Sequence, residues 1–229
     1  MTNAPQWFWS ALETPYDEAT VQVEGCPIHY LRWGDVSRPA VVLVHGGAAH
    51  AHWWSFIAPL LMREYQVLAL DLSGHGDSGR RAEYPRELWS REIMGVARHA
   101  GVLGPPILVG HSMGGFVCIN TAAEFGGELA GAIVVDSPVR RPDPETEEGA
   151  HGKSFRNPKV YPTREKALAR YRLVPDQPCE NEFILDHIAG TSVGRVENGW
   201  TWKFDRRSFS TSPPARPASS CPASSVGWR

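Results

Sequence analysis

Four cysteines (Cys26, Cys118, Cys179 and Cys221) are scattered over 229 residues with no Cys-x-x-Cys pair. That spacing suits neither a zinc knuckle nor a disulfide framework, and a reducing cytoplasm is the expected compartment. A surplus of either charge is also missing: Lys plus Arg number 23 against 25 Asp plus Glu, a formal net of −2. Nothing here would grip phosphate backbones or anionic lipid, so nucleic acid is not an expected partner. No stretch approaches the ~18 apolar residues of a membrane span, so no stable membrane anchor is expected. Met1 to Ser10 has no basic run followed by an apolar core, and so lacks the pattern of a signal peptide. What is present is the ordinary balance of a soluble globular domain, 42% hydrophobic and 21% charged. The length fits one domain, or one domain with an insertion.

Short apolar runs alternate with helix-length segments through the first 136 residues. Val21-Gln22-Val23 and Ile28 to Leu31, separated by Gly25-Cys26-Pro27, read as a leading hairpin. Ala40 to Val44 is an unbroken apolar run rich in β-branched residues, the composition of a strand buried on both faces. Val67 to Leu70, Ile107 to Val109 and Ala132 to Val135 repeat the pattern. Between them helices are expected over Trp53 to Glu64, Glu87 to Ala100, and Met113 to Phe125, the last closed by Gly126-Gly127. Such alternation predicts crossover units, and so an α/β fold with a mostly parallel sheet flanked by helices.

Residues 1–136 therefore read as the core. Residues 137–206 read as an inserted helical cap, with helices over Arg164 to Leu173 (Thr163 as cap) and Glu182 to Ala189. There Asn198-Gly199 makes a hairpin turn, and Trp200, Trp202 and Phe204 alternate as one strand face. Residues 207–229 read as a low-complexity, disordered tail, since Ser, Pro and Ala supply 14 of the 22 residues from Ser208 onward.

The chemistry concentrates in Gly110-His111-Ser112-Met113-Gly114, between an expected strand and an expected helix. A serine at a tight strand-to-helix turn projects its hydroxyl above the sheet, and glycines two residues either side give the backbone clearance. The helix that follows aims unpaired N–H groups at the same point, which favours a developing oxyanion. A second loop, His45-Gly46-Gly47, and a third, Asp71 to Gly79, also follow expected strands. Three Gly-rich loops at the carboxyl ends of successive parallel strands converge on one pocket.

These three loops, in this order and spacing, resemble the α/β-hydrolase fold family over about Val21 to Asp136, and more loosely to Phe204. The resemblance implies that Ser112 is a nucleophile and that the backbone N–H groups of Gly47 and Met113 form an oxyanion hole. It implies no cofactor and a small-molecule substrate, which the aromatic content suggests is an apolar acyl compound. A Ser rather than an Asp at this turn argues against epoxide-hydrolase or dehalogenase chemistry. It leaves ester, thioester, peptide and carbon–carbon-bond hydrolysis open.

The family pattern also calls for two further strands, an acid after the seventh and a His after the eighth. None of the nine histidines lies beyond His187. The sequence thus reads as C-terminally incomplete, in the manner of a truncated or frame-shifted frame. Asp136, ending the sixth strand, has two readings: a displaced triad acid, or a residue that caps the Ser137-Pro138 loop. His50 and His52 form no metal site by spacing, and no metal is expected. His111, His75 and His187 read as packing, loop-tying and surface residues. The clusters Trp53-Trp54 and Trp200, Trp202 and Phe204 read as packing of helix and cap or as an apolar substrate lining. Two function classes follow: a serine hydrolase acting by acyl transfer on an ester or related carbonyl, or a non-catalytic ligand-binding remnant lacking the base. Missing outer strands would leave a sheet edge exposed, so self-association is expected.

Overall fold

Period-two burial organises the molecule. The computed structural model describes residues 4–137, 158–174 and 176–209. Strands β3 (Ala40–Val44) and β4 (Gln66–Leu70) are buried at every position. Their side chains alternate between two cores. Val42, Val44, Leu68 and Leu70 face one way, onto Trp89, Ile93, Val96 and Val117. Val41, Leu43, Val67 and Ala69 face the other, onto Ala51 and Ala58. A strand covered on both faces has no use for polar alternation, which is why these runs are uniformly apolar.

The leading hairpin is longer than expected. β1 (Asp17–Val23) and β2 (Cys26–Trp33) pair antiparallel from Val23↔Cys26 to Asp17↔Arg32. The turn is Glu24-Gly25, at φ 46° and 74°, the two positive angles of a tight hairpin, and Cys26-Pro27 already belongs to β2. With β5 (Ile107–His111) and β6 (Gly131–Val135) the sheet order is β1-β2-β4-β3-β5-β6. The last four strands run parallel, and β2 meets β4 antiparallel. Parallel alignment brings the ends of β3, β4, β5 and β6 to one edge.

Three elements fall outside the expected helices or differ from them. A first helix, α1 (Gln6–Leu12), buries Phe8 against Phe56 and Phe183. The helix expected over Trp53 to Glu64 is instead a 3-10 turn, Ala51–Trp54, followed by the short α2 (Ala58–Leu61). Ser55 Oγ donates back to the His52 carbonyl at 2.7 Å, and Pro59 fits only the first turn of a new helix. α3 (Arg86–His99) and α4 (Met113–Phe125) form as expected and share one face of the sheet.

Beyond β6, α5 (Arg164–Leu168) is shorter than expected, though Thr163 Oγ1 does accept from the Lys166 N–H at 3.3 Å. α6 (Glu182–Thr191) leads into a hairpin of β7 (Val193–Val196) and β8 (Gly199–Trp202). Its loop is Glu197-Asn198, one residue earlier than the expected turn, because Gly199 pairs with Val196. Trp202 packs edge-on to Tyr161 and Tyr171, and Phe204 bridges back to His75. The chain stays docked through a further turn, Arg206–Phe209, with Ser208 buried. Residues 207–209, expected in the tail, thus lie in this turn. Residues 210–229, like 138–157, lie outside the described residues. At the outer edge of the sheet Ile133 is 53% exposed and Val135 41%.

Candidate active site

Ser112 sits alone between β5 and α4, at φ 52° and ψ −117°. A non-glycine residue in that region costs about 1–3 kcal/mol and persists only where its surroundings hold it. Three contacts do so. The Ser112 N–H donates to the Val135 carbonyl at 2.9 Å, and its own carbonyl accepts from Gly115 N–H at 2.9 Å and from Ser137 Oγ at 2.7 Å. The flanking glycines are needed for space. A Cβ on Gly114 would stand 2.5 Å from the carbonyl oxygens of Val44 and His45, and one on Gly110 would collide with the Gly114 carbonyl. Side chains there would separate α4 from the ends of β3 and β5 and undo the turn.

The 45–47 loop lies directly against this turn. A Cβ on Gly46 would be 3.3 Å from Ser112 Cβ and 2.9 Å from His111 Nδ1. One on Gly47 would be 3.9 Å from Met113 Sδ and 2.9 Å from Phe209 Cε1. Among the described residues nothing accepts a hydrogen bond from the Gly47 N–H. The Met113 N–H opens α4, where no helical carbonyl precedes it to accept. The chain thus gathers Ser112, Gly47 and Met113 within one small volume.

What holds that loop is a buried polar hub. Asp71, at the end of β4, accepts the Ala51 N–H on Oδ1 at 2.6 Å, and on Oδ2 both the His29 Nδ1–H at 2.7 Å and the Asp77 N–H at 2.9 Å. Burial alone would raise the Asp71 pKa; the His29 hydrogen bond and the neighbouring imidazoles outweigh it and hold the carboxyl well below its usual range. Burial likewise opposes charge on His29, but Asp71 and Glu18 together raise its pKa. His45 Nδ1 donates to the Gly46 carbonyl at 2.7 Å while Nε2 accepts from the Leu72 N–H at 3.1 Å, which ties the 45–47 loop to the 71–79 loop. Those two roles require the neutral imidazole, and burial lowers its pKa accordingly. His75, its ring tilted against that of His45 at 5.0 Å, and His50 are both pushed down to about 3 by burial. A carboxylate oxygen of Glu92, fully buried on α3, accepts from the Ser73 N–H at 2.8 Å, and the other pairs with Arg81.

Residues 41–227 match the sequence pattern of the Alpha/beta hydrolase family. The chain belongs to that family. It is 30% identical over 196 residues to an esterase of Mycobacterium tuberculosis, covering 80% of this chain and 62% of the relative. It is 34% identical over 124 residues to N-formylmaleamate deformylase of Pseudomonas putida, covering 53% of this chain and 46% of that one. The chain therefore spans less than two thirds of the length of these relatives. Among solved structures its fold is like that of E-2-(acetamidomethylene)succinate hydrolase, with TM-score 0.72 and 18% identity over 85% of this chain and 71% of that one. A thioesterase domain from the curacin biosynthetic pathway gives 0.67 and 24% over 84% and 73%. At these identities the likeness is one of fold: the alpha/beta-hydrolase fold.

Within this hydrolase fold the remaining candidates stand apart from Ser112 Oγ. Asp136 has φ 48° and a side chain 90% exposed, and among the described residues its carboxylate approaches only His111 Nε2, at 3.9 Å, beyond hydrogen-bond reach. It is Ser137 that binds the turn. Of the nine histidines all but His151 are described, and none of their ring nitrogens hydrogen-bonds Ser112 Oγ. His187, expected at a surface, is half-buried against Phe8 and Phe56, and its Nε2 donates to Ser55 Oγ at 2.8 Å. His50 Nε2 is taken by Ser192 Oγ at 2.9 Å. Candidate ligand atoms of His29, Asp71 and Asp77 lie within 4.8 Å of one another, but Asp71 already accepts three N–H groups. Trp54 packs into the core beneath β3 and Trp53 beside Phe8. No helix among the described residues is long and apolar enough to cross a membrane.

The roles of Asp71, His45 and Glu92 went unread in the sequence. The Asp71 to Gly79 spacing signals a loop; that its first residue anchors the segment after β3 and strand β2 depends on partners 20 and 42 positions away.

Proposed function

We propose that the chain is a serine hydrolase acting by acyl transfer on an ester or related carbonyl of a small, apolar acyl compound. The observation that carries this reading is the backbone of Ser112, held at φ 52° and ψ −117° against the loop that bears the Gly47 N–H, which no described residue pairs. Ser112 Oγ adds to the carbonyl carbon while its proton passes to a base. The Gly47 and Met113 N–H groups stabilise the negative charge that develops on the carbonyl oxygen. The carbonyl re-forms, the alcohol leaves with a proton, and water then releases the acyl group from Ser112. Preorganisation supports the assignment, since the donors are fixed by Gly114 packing and the His45 tie before any substrate arrives. The esterase and deformylase relatives, which act on carbonyl compounds by name, support the substrate class. Residues 137–206 are proposed to be the cap over this site.

A second reading has its own observation: no described histidine bonds Ser112 Oγ. A hydroxyl without a base is a weak nucleophile, and a pocket retaining only the oxyanion donors would bind carbonyl ligands without turning them over. A fluorophosphonate probe separates the two. Labelling of the wild type that is lost in Ser112→Ala supports the hydrolase. A folded wild type that takes no label supports the binding module.

A further inference from the structure

The direction in which a side chain at position 47 would point is already occupied. Phe209 Cε1 lies 2.9 Å and Cζ 3.6 Å from where a Gly47 Cβ would be, with Met113 Sδ 3.9 Å from the same point. The phenyl ring therefore rests beside Gly47, one of the proposed oxyanion donors, and near the side chain of Met113, although it comes 162 residues after one and 96 after the other (209 − 47 and 209 − 113). Glycine at 47 is what lets the ring come so close.

Phe209 is held there by a dedicated set of contacts. The Asp205 N–H donates to the Gly74 carbonyl at 2.7 Å, fastening the turn to the 71–79 loop. The Asp205 carboxylate accepts from Tyr84 OH at 2.9 Å and from the Arg207 N–H at 2.9 Å, and pairs with the Arg207 guanidinium at 2.6 Å. Ser208 N–H closes the turn on the Asp205 carbonyl at 3.0 Å. The ring meets His75 and Phe204 edge-on, each at 5.8 Å between centroids. His75 is itself fully buried, so this wall has a rigid backing.

We propose that Phe209 determines the size of the acyl group the site accepts, limiting it to short, compact chains. The inference rests on the reading of Ser112 as nucleophile and deepens it. A carbonyl oxygen held by the Gly47 and Met113 N–H groups sits ~3 Å from each. An acyl substituent that runs from that carbonyl past Gly47 meets the phenyl ring. Truncating the ring opens that path, and each methylene newly accommodated contributes to discrimination among substrates.

The test uses the full chain as wild type, Phe209→Ala, Phe209→Leu and Ser112→Ala. Rates are measured on p-nitrophenyl acetate, butanoate and octanoate, and on acetate esters of short and long alcohols. Covalent labelling by fluorophosphonates with short and long P-alkyl chains is followed alongside, with a thermal melt of each variant. Phe209→Ala should raise the octanoate-to-acetate ratio by ~10-fold or more, with Phe209→Leu between it and wild type. Phe209→Leu keeps most of the apolar volume and carries the comparison if the alanine variant does not fold. An unchanged acyl-chain ratio in folded variants overturns the role of Phe209, and so does a shift confined to the alcohol series. In both cases reaction that is lost in Ser112→Ala leaves the nucleophile reading standing. Reaction and labelling that persist in Ser112→Ala, or that are absent from folded wild type, overturn both.

Discussion

Lowering the pH from 6.5 towards 4.5 should destabilise this protein steeply, because folding keeps His50 and His75 neutral. Burial pushes both down from 6.5 to about 3. A group whose pKa is depressed in the folded state stabilises it fully above the unfolded pKa, and that contribution is lost as pH falls through the folded pKa. Between pH 6.5 and about 3 the unfolded chain therefore binds two protons that the folded chain refuses. Each contributes ~1.4 kcal/mol per pH unit, so the pair gives a slope of ~2.7 kcal/mol per unit. His45, His52, His111 and His187 are shifted in the same direction by burial and steepen it. His29, raised by Asp71 and Glu18 against the opposing effect of burial, contributes stability that is fully present below 6.5 and lost at higher pH, so it adds no slope here. Asp71 is held low, so its contribution is lost only as pH falls below 3.8, outside this window. Against a total stability of roughly 5–15 kcal/mol, two pH units of such a slope bring the chain to or near unfolding. Urea melts at pH 6.5, 5.5 and 4.5, read by tryptophan fluorescence and fitted with one m-value, measure the slope directly. Replacing His75 by Gln should remove ~1.4 kcal/mol per pH unit of it. Stability that stays level from pH 6.5 to 4.5, or a slope untouched in both His50→Gln and His75→Gln, would refute the argument.

Gly114→Ala should prevent folding or cost several kcal/mol, since its methyl would meet two backbone carbonyls at 2.5 Å, whereas Gly126→Ala, with open space around it, should be nearly neutral. Thermal melts of the two variants check this, and equal melting temperatures would contradict it. Asp71→Leu strands His29 and the Ala51 and Asp77 N–H groups, for an expected loss of at least ~3 kcal/mol, together with any Ser112-dependent labelling. Denaturant unfolding and probe labelling of the same preparation test both halves. The outer edge of β6, with Ile133 and Val135 exposed, is proposed to drive self-association. Light scattering should find oligomers that Ile133→Lys dissociates, and a wild-type monomer at every concentration would end that proposal.

The elements most legible in the sequence are those whose constraints are local or two-sided. Ala40–Val44 must be apolar throughout because both faces are covered. The turn at Ser112 is legible because its requirements span only Gly110 to Gly114. The short helices around Ser55 were misread because a hydroxyl returning to the His52 carbonyl competes with helix continuation, and its other partner is His187, 132 residues away. Composition alone does not show the turn at Arg206–Phe209, because Ser and Pro content hides it and its anchor, Gly74, is remote.

Composition, apolar runs and one five-residue motif were enough to determine an α/β sheet and the strand-to-helix turn that carries Ser112, since strand burial and such a turn are set by near neighbours. Only the tertiary structure decided that Asp71 is a hub, that His45 braces the 45–47 loop, and that Phe209 stands beside Gly47. Each of those depends on groups far apart in the chain meeting at one sheet edge, and no local pattern encodes which distant side chain will arrive there.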